Sequence, residues 1–541
     1  MLITKNGVSS LGGLEYSWET QEHKFWWKGL VFVHSIPCGT DSLERFSKEI
    51  SRSGIQDAVN CLKGNFLLVV EDKKSGVYYS FVDNSSLFQA FYSDTSISTS
   101  FLELVKYEGL SRSDLDKEAI VEFLHFGHIS FRKTFFDSIK KIPGKQILTF
   151  SDDGKICFLP KLVPDLNAGD GQSSFLNFFE GLVSSIKNQN VSVDLSGGID
   201  SRMLATILDY FGLDFEIDVT GWKGHIDIEI SKEVASVLKH KHHVTDNSVD
   251  LLKEEELLTD ELFSMCDGLF NILTGRGQLL SNKNRVGRGV DLKFTGAGGE
   301  LYKDFWWLQD FPFYARRKAN VERLFNLRIA PTGFNHFYFT DDYVEICQNL
   351  KHNTVQKLSS FIIDANTKTY DNIYFNYRMQ EIAGRRITND NSLLKSYAPL
   401  LELDVVRYGF NIPRKERFFN NFHRRTITSI NPNVAKIRTT ESGMTVSSFK
   451  TDIIKDISKY IINKSARLTK KVGQKILKRT YFQQILADPL YVKVKELKIS
   501  TGSVEFLKDF KIINEKLEVS NISNSHIGNF ISLAMFMRCL E

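Results

Sequence analysis

The chain has 541 residues, enough for two to four domains with sizeable hydrophobic cores. Its formal net charge of +4 excludes a strong overall attraction to nucleic acid, so we expect no nucleic-acid partner. The six cysteines show neither metal-ligand spacing nor a disulfide framework, which fits a reducing compartment. We find no signal peptide and no apolar run of the roughly 18 residues that a membrane span needs. We therefore expect a cytoplasmic protein.

The first part of the chain is rich in strand patterns. Residues 61–93 alternate apolar and polar side chains in two runs joined by Lys-Lys-Ser-Gly, which predicts a β-hairpin followed by a third apolar run. Residues 119–150 predict a helix, a turn and a further strand. These patterns indicate a first domain over residues 1–160.

A change of composition marks the end of that domain. Residues 159–174 contain two prolines, two glycines and few apolar side chains, so we assign residues 161–174 to a linker. From residue 175 helix and strand patterns alternate, which is typical of a parallel sheet covered by helices. Ligands of such sheets bind at the carboxyl ends of the strands.

The stretch VSVDLSGGIDSRMLATIL, residues 191–208, places two glycines between a strand pattern and a helix pattern. The first turn of a helix presents unpaired N–H groups, and glycine lets an anion approach the backbone, so this turn suits phosphate. Ser196 and Ser201 add hydroxyl donors. Asp200, which we expect on an exposed turn, would repel phosphate unless a cation lay between them, and this favours a metal-bound polyphosphate. The alternative is a glycine turn without a ligand.

Three later segments follow the SGGIDS turn along the chain. Residues 293–307 contain a glycine-rich turn followed by acidic residues, residues 396–413 contain Pro-Leu-Leu-Glu and a second proline, and residues 430–443 contain Lys436 and Arg438. SGGIDS resembles the pyrophosphate loop of the N-type ATP pyrophosphatases. With the three later segments in the same order, the chain resembles the asparagine synthetase-like family of that group.

The resemblance implies a fold of the α/β and α+β classes. An Ntn-hydrolase-like β-sandwich domain would precede a PP-loop (adenine nucleotide α-hydrolase-like) parallel-sheet synthetase domain over residues 175–450. A helical C-terminal extension over residues 451–541 has no counterpart that we can name.

The glutaminase machinery of that family is missing. Its glutaminase domains use an N-terminal cysteine as nucleophile, with the α-amino group of the same residue as base. Here position 2 is Leu2, and the first cysteine is Cys38. We expect a structural remnant of a glutaminase domain, the alternative being that Cys38 is exposed by processing. The resemblance is thus to a glutaminase-dead branch like the β-lactam synthetases and lasso-peptide cyclases.

The resemblance also implies an activity. The enzyme would be an ATP-dependent, AMP-forming amide-bond synthetase that uses ATP and Mg²⁺. It would adenylate a small-molecule, peptide or saccharide carboxylate and pass it to an amine or ammonia. The alternatives are a glutamine-dependent amidotransferase of the asparagine synthetase type and a non-catalytic or regulatory relative that has kept the fold.

The nucleotide-binding residues implied by the resemblance lie in both glycine-rich turns and at a strand end: Leu195, Ser196, Gly197, Gly198, Asp200, Ser201, Val219, Gly296 and Gly298. Val193 and residues 219–221 would line the nucleotide beside them.

Acidic residues near these turns are the implied metal ligands. Asp200 and Glu300 take this role, and Asp304 is a weaker candidate. The alternative for Glu300 is a carboxylate favoured by a helix N-terminus. Asp227 lies near where relatives have an acidic pair, and the alternative is a residue that caps the next helix.

The catalytic segment departs from the family pattern. Thr440 occupies the place of the family's catalytic lysine, so we assign the charge-stabilising role to Arg438, two positions earlier. Lys395 stands where the family has a glutamate that handles the amine. Glu381 and Glu402 are the candidate replacements for that carboxylate.

Two further segments have no assigned role. Residues 302–317 contain an aromatic cluster that suits either an acceptor platform or helix packing. Residues 463–482 carry seven Lys/Arg and no acid, with apolar residues at helical spacing. This segment is a candidate contact for an anionic partner or a membrane surface, and the alternative is a helix packed on the synthetase domain.

Overall fold

The computed structural model describes residues 1–166, 174–248, 252–304, 306, 318–331, 333–363, 366–440, 443–477 and 489–540. The strands are β1 (Leu2–Thr4), β2 (Gly7–Ser9), β3 (Glu15–Glu19), β4 (His23–Val33), β5 (Ile36–Pro37), β6 (Leu62–Asp72), β7 (Val77–Val82), β8 (Phe91–Tyr92), β9 (Ser96–Ser98), β10 (Lys140–Lys141), β11 (Gln146–Phe150), β12 (Ile156–Pro160), β13 (Val191–Asp194), β14 (Phe215–Gly221), β15 (His242–Asp246), β16 (Leu292–Phe294) and β17 (Lys395–Tyr397).

The α-helices are α1 (Thr40–Ser53), α2 (Ile55–Ala58), α3 (Phe101–Tyr107), α4 (Lys117–Phe126), α5 (Ser174–Ile186), α6 (Asp200–Tyr210), α7 (Ile226–Leu238), α8 (Glu254–Leu257), α9 (Asp260–Cys266), α10 (Ile272–Gly287), α11 (Val321–Leu324), α12 (Asp341–Ser359), α13 (Asn366–Ile373), α14 (Gly384–Asp390), α15 (Leu403–Asn411), α16 (Arg414–Arg417), α17 (Asn421–Ile430), α18 (Pro432–Lys436), α19 (Lys450–Leu477), α20 (Pro489–Glu496), α21 (Lys498–Asp509) and α22 (Ile527–Arg538). Phe325–Ile329 and Tyr374–Ala383 are π-helical.

Two antiparallel sheets form the N-terminal part of the molecule. The first has the strand order β10-β8-β9-β1-β2, and the second has the order β12-β11-β7-β6-β4-β3, with β5 paired to β4. The predicted hairpin over 61–93 is confirmed, because β6 pairs with β7 in antiparallel register. On β6, Leu67 packs in one cluster with Ile3 of the first sheet, whereas Leu68 packs in another cluster with Leu43 of α1. Because successive side chains of a strand point to opposite faces of the sheet, β6 contributes to two separate hydrophobic layers.

A parallel sheet follows, with the strand order β15-β14-β13-β16-β17. Val191 and Val193 of β13 are buried in the largest core cluster, together with residues of α6. The expectation of antiparallel sheets followed by a parallel, helix-covered sheet is confirmed. Because all five strands are parallel, their carboxyl ends meet along one edge of the sheet.

The N-terminal part contacts the parallel sheet through buried polar groups. The carboxylate of Glu402 accepts hydrogen bonds from the Gly64 amide (3.0 Å) and the Tyr397 hydroxyl (2.7 Å). The side-chain oxygen of Asn65 accepts one from the Ala398 amide (3.2 Å). Burial raises the pKa of Glu402 to about 7, although the Lys63 ammonium opposes this. Glu402 thus joins two parts of the fold.

This burial predicts a pH dependence of stability. Because the pKa of Glu402 is raised on folding, the folded protein holds a proton that the unfolded chain has already released between pH 4.5 and 7. Stability should fall as the pH rises through this window, by about 3 kcal/mol from this carboxyl alone. The variant Glu402→Gln should lose that dependence in urea unfolding at each pH. Glu505→Gln, on an exposed face of α21, should unfold with the same pH dependence as the parent protein.

The C-terminal helices share a core with both preceding parts. Phe536 of α22 stacks on Phe135 with ring centroids 4.9 Å apart, and it lies in one hydrophobic cluster with residues of α4 and α10. The predicted helical extension is therefore observed in residues 489–540, where it packs on the rest of the molecule. In the part of the chain that the structure describes, no helix is both long and apolar enough to cross a membrane.

Candidate functional site

A cleft of about 960 Å³ opens at the carboxyl ends of β13, β14 and β16. Its first wall is formed by residues at those strand ends and by both glycine-rich turns: Asp194, Leu195, Ser196, Asp218, Val219, Thr220, Asp227, Thr295, Ala297, Gly298 and Glu300. The structure thus brings together two turns that are about 100 residues apart in the chain. Leu195, Ser196, Val219, Gly298 and Glu300 of the predicted site residues line this cleft.

The turn between β13 and α6 presents three amides that bind side-chain oxygens. Ser196 N–H donates to Ser201 Oγ (3.2 Å), and Gly198 N–H donates to Ser196 Oγ (3.2 Å). Gly197 N–H donates to a carboxylate oxygen of Asp227 at 2.9 Å. One amide of this turn therefore already holds an anionic oxygen. Asp227 contacts the turn itself, a contact that its position in the sequence did not reveal.

Close packing explains most of the glycines. A Cβ atom at Gly296 would lie 2.6 Å from Ser201 Cα, and one at Gly299 would lie 2.3 Å from Asp200 Cβ. Both distances are too short for any side chain, so the second glycine-rich turn packs directly on the first turn of α6. At Gly198 a Cβ atom would meet only Ser196 Oγ, at 3.2 Å. Within the protein, a Cβ atom at Gly198 would therefore contact only its own loop.

Asp200 does not lie on an exposed turn as expected. One carboxylate oxygen accepts a hydrogen bond from Lys303 Nζ at 2.7 Å, and the other lies 2.9 Å from His423 Nε2. The Lys303 and His423 side chains are almost completely buried. Burial alone would raise the pKa of Asp200, but Lys303 and His423 hold it far below its ordinary value. The structural reason is that α6 begins against the second turn and α17, which enclose its first carboxylate.

The contacts of Asp200 and Glu300 show whether these residues fit the Mg²⁺ site that the family resemblance implies. Asp200 already has two cationic or polar neighbours, so it does not fit the role of a metal ligand here. Glu300 accepts a hydrogen bond from the Tyr374 hydroxyl and lines the cleft. Within the described ranges no group of three or more His, Cys, Asp or Glu is arranged to hold a metal ion. We therefore derive no chemical step through Mg²⁺.

Arg202 joins the loop to the late basic segment. Its guanidinium is fully buried and donates to the carbonyl oxygens of Ile437 (2.6 Å), Arg438 (2.8 Å) and Gly197 (3.3 Å). Burial lowers the pKa of Arg202 to about 10. The amide of Thr440 donates to the same Gly197 carbonyl at 3.3 Å. Residues 437–440 are thus held against the turn between β13 and α6. The order of the motifs predicted that these two segments lie together.

The two charged residues that were predicted to be catalytic, Arg438 and Lys395, lie in different parts of the molecule. The Arg438 side chain is half exposed and pairs with Glu229 at 3.2 Å, so it lies beside the loop and outside the residues that line the cleft. Lys395 begins β17, at the end of the sheet away from the cleft, and its ammonium lies over the Tyr16 ring.

Other predicted residues also lie away from the cleft lining. Val193 is in the core, Gly221 packs against Ile228, and Asp304 accepts a hydrogen bond from the Phe419 amide. Glu381 pairs with Lys141 of the N-terminal part, and Glu402 contacts Gly64 as described. These two carboxylates join parts of the fold, and the structure gives them no access to the cleft.

The opposite wall of the cleft was not predicted. It includes Tyr374, Arg378 and Arg386, from the π-helical segment and α14. Among the described residues neither arginine has an ion-pair partner. The π-helical turn changes the spacing from 3.6 residues, so a helical pattern in the sequence does not show which residues share this wall.

A buried polar network supports the floor of the cleft. Lys293 of β16 donates to Asp390 of α14 (3.0 Å) and lies 3.3 Å from Asp194 at the end of β13. Asp390 also accepts from Asn282 of α10 at 2.7 Å. The strand ends and α14 are therefore fixed relative to each other.

The aromatic segment 302–317 is only partly described. Tyr302 is buried, and Trp306 lines the cleft with its ring 5.3 Å from that of Tyr374. Residues 305 and 307–317 lie outside the described residues. In the basic segment 463–482, the backbone of α19 is described to Leu477, and residues 478–482 lie outside the described residues.

Cys38 is a poor candidate for a nucleophile. It follows β5, its amide donates to the Val31 carbonyl at 2.9 Å, and burial raises the pKa of its thiol to about 12. A thiol of this kind is almost wholly protonated at neutral pH, so it lacks the thiolate that attacks an amide.

We therefore expect the protein to release no glutamate from glutamine. Cys38→Ser should leave ATP binding unchanged, and Cys157→Ser, at an exposed cysteine, is the matched control. An enzyme-coupled glutamate assay gives the measurement. Glutamate release that is abolished by Cys38→Ser but kept by Cys157→Ser would contradict this prediction.

Comparisons with known proteins identify no family for the chain. No protein-family model matches it, and no curated protein matches it. Among solved structures, the NMN synthetase from Francisella tularensis aligns over 38% of this chain and 90% of that chain, with 12% identity and a TM-score of 0.20. A TM-score this low carries no argument about fold or activity. The residues of the chain itself must support any functional proposal.

Proposed function

We propose that the protein is an ATP-dependent, AMP-forming amide-bond synthetase of the asparagine synthetase-like type. The observation that carries the proposal is the turn after β13, whose Gly197 amide holds a carboxylate oxygen of Asp227 at a cleft of about 960 Å³. The motif order supports the same conclusion, because two of the four segments that resemble one family line this cleft, and residues 437–440 of a third contact its loop. The proposed architecture is an Ntn-hydrolase-like domain followed by a PP-loop domain.

The loop residues would bind the pyrophosphate end of ATP. When phosphate oxygens replace the side-chain oxygens of Ser196, Ser201 and Asp227 as acceptors, the three amides and two hydroxyl groups become donors to phosphate. Leu195 and Val219 line the wall where a flat base would lie. ATP supplies the leaving pyrophosphate, and these donors stabilise the charge that develops on it.

The opposite wall would bind the acceptor. Arg378 and Arg386 offer two guanidinium groups without an ion-pair partner among the described residues, and guanidinium binds carboxylate in a bidentate manner. The acceptor carboxylate would then be held facing the α-phosphate, where it attacks to give an acyl-adenylate. Arg438 would need to leave Glu229 to stabilise this charge, and Lys395 is too remote in the sheet to join it. An amine or ammonia would displace AMP.

Equilibrium binding of ATP tests the loop without knowledge of the acceptor. The parent protein should bind ATP in calorimetry, in EDTA and again with added Mg²⁺. Gly198→Ala should weaken binding at least about tenfold, because its methyl group meets only a serine hydroxyl within the protein and would take up space beside the amides that are proposed to bind phosphate. Gly181→Ala, with open space around its Cβ position on α5, is the matched control.

The outcome separates the candidate functions. If the protein does not bind ATP, or if the Gly198→Ala and Gly181→Ala variants bind it equally, the loop is a glycine turn without a ligand. Binding without formation of AMP and pyrophosphate on any candidate acid would favour the non-catalytic relative, which the enclosed position of Asp200 also supports. Formation of ADP and phosphate would contradict the proposal directly.

A further inference from the structure

The helix α19 is attached to the molecule along one face. Asp456 accepts from Arg424 Nη1 (2.9 Å) and from the Thr445 hydroxyl (3.0 Å), and the charged pair is almost completely buried. The Tyr460 ring lies 6.0 Å from that of Phe419, one turn further along the same face. These contacts fix the orientation of the first three turns of the helix.

The opposite face exposes a row of isoleucines. Ile454, Ile457 and Ile461 follow the spacing of one helix face and are 65%, 41% and 56% exposed. Ile462 beside them is 66% exposed. Ile454 lies about 160° around the helix from Asp456, so this row points away from the protein. The sequence continues the same spacing with apolar residues at positions 468, 472 and 476.

Basic residues accompany this row. Lys455 and Lys459 are exposed, about 100° and 140° around the helix from Ile454, and the Lys459 ammonium donates to the Gly443 carbonyl at 3.2 Å. Two acids lie on the same turns: Asp456, which is neutralised by Arg424, and the partly buried Asp452. From position 457 to position 477 the sequence has six Lys/Arg and no acid: Lys459, Lys464, Arg467, Lys470, Lys471 and Lys475. Over residues 454–462 the exposed face of this helix is therefore apolar, with the cation Lys455 at its edge.

We propose that α19 docks in the plane of an anionic lipid surface, with the isoleucines at the boundary of the acyl chains. Isoleucine brings no hydrogen-bonding group, which suits a hydrocarbon boundary. The exposed cation next to the row is Lys455, and a lysine acts as a point charge on a flexible stem that needs no partner of fixed geometry. A lipid headgroup layer offers such a diffuse negative surface, whereas specific recognition of an acidic protein favours the bidentate arginine. This proposal is independent of ATP and of the amide synthetase activity.

Vesicle flotation with the full-length protein tests the docking. We expect binding to vesicles of phosphatidylcholine with one third phosphatidylglycerol, and at least about tenfold weaker binding to phosphatidylcholine alone. Raised salt should weaken binding to the anionic vesicles. Ile454→Ser with Ile461→Ser should weaken it about tenfold or more, because both side chains lose a hydrocarbon contact. Lys455→Glu with Lys459→Glu should have an effect of similar size.

The control variant carries Ile36→Ser and Ile362→Ser, which change two isoleucines that are 38% and 52% exposed elsewhere. It should bind vesicles like the parent protein. The thermal unfolding of all variants shows that the fold is kept. No binding to anionic vesicles, or equal binding by the two isoleucine variants, overturns the proposal. Binding to poly-L-glutamate without binding to vesicles overturns it in favour of an acidic polypeptide partner.

Discussion

Asp200→Ala should lower the free energy of unfolding by about 3 kcal/mol, because it removes a carboxylate from a buried ion pair. Lys303, which is only 7% exposed, would lose the oxygen 2.7 Å from its ammonium, and His423 would lose a neighbour at 2.9 Å. Urea unfolding at pH 7 measures the effect. Asp200→Asn keeps the shape of the side chain without its charge, and it should cost less. Asp404→Ala, at a half-exposed carboxylate, is the matched control and should cost at most about 1 kcal/mol.

The pH dependence of this cost follows from the depressed pKa of Asp200. A carboxyl with a lowered pKa contributes stability above its unfolded pKa of about 4, and that contribution is lost as the pH falls towards the folded pKa. The difference between parent and Asp200→Ala should therefore be constant from pH 5 to pH 8 and shrink below pH 4. A constant difference down to pH 2 would show that the charge of Asp200 is not the source of its stabilisation.

Arg202→Met should be as damaging, since it removes the buried guanidinium that donates to three backbone carbonyl oxygens. Hydrogen bonds from a charged donor contribute about 1.5–3 kcal/mol each, and the net loss expected after partial repacking is about 3 kcal/mol. Release of segment 437–440 from the loop should also weaken ATP binding, if the proposed function is correct. Calorimetry and urea unfolding on the same preparations give both values.

Arg425→Met provides the comparison for this substitution. Arg425 lies on the neighbouring α17, is 63% exposed and pairs with Glu416, so its loss should change stability by at most about 1 kcal/mol. Arg202→Lys should recover part of the stability, because an ammonium still donates but cannot reach three carbonyl groups. If Arg202→Met and Arg425→Met unfold at the same urea concentration, the link between loop and basic segment contributes little.

Much of the first wall of the site was predictable from sequence. The strand, glycine turn and helix of residues 191–208 are observed as β13 and α6, because period-two and period-3.6 patterns on either side of two glycines are local properties of the chain. The meeting of two glycine-rich turns at one edge was also predictable, since parallel strands present their carboxyl ends together. The π-helical wall with Tyr374 and Arg378 was not, because its spacing follows neither pattern.

By itself, the sequence determined the alternation of elements, the hairpin between β6 and β7, and the order of the motifs, all of which depend on neighbours within a few residues or turns. Only the tertiary structure decided what each charged residue does. Asp200 has Lys303 as its partner, 103 residues away, and Glu402 meets the Gly64 amide, 338 residues away. Both Lys395 and Arg438 were predicted from their positions in the motifs. Arg438 lies beside the loop, whereas Lys395 lies at the end of the sheet away from the cleft. Burial and ion pairing are set by such distant contacts, and no local periodicity records them.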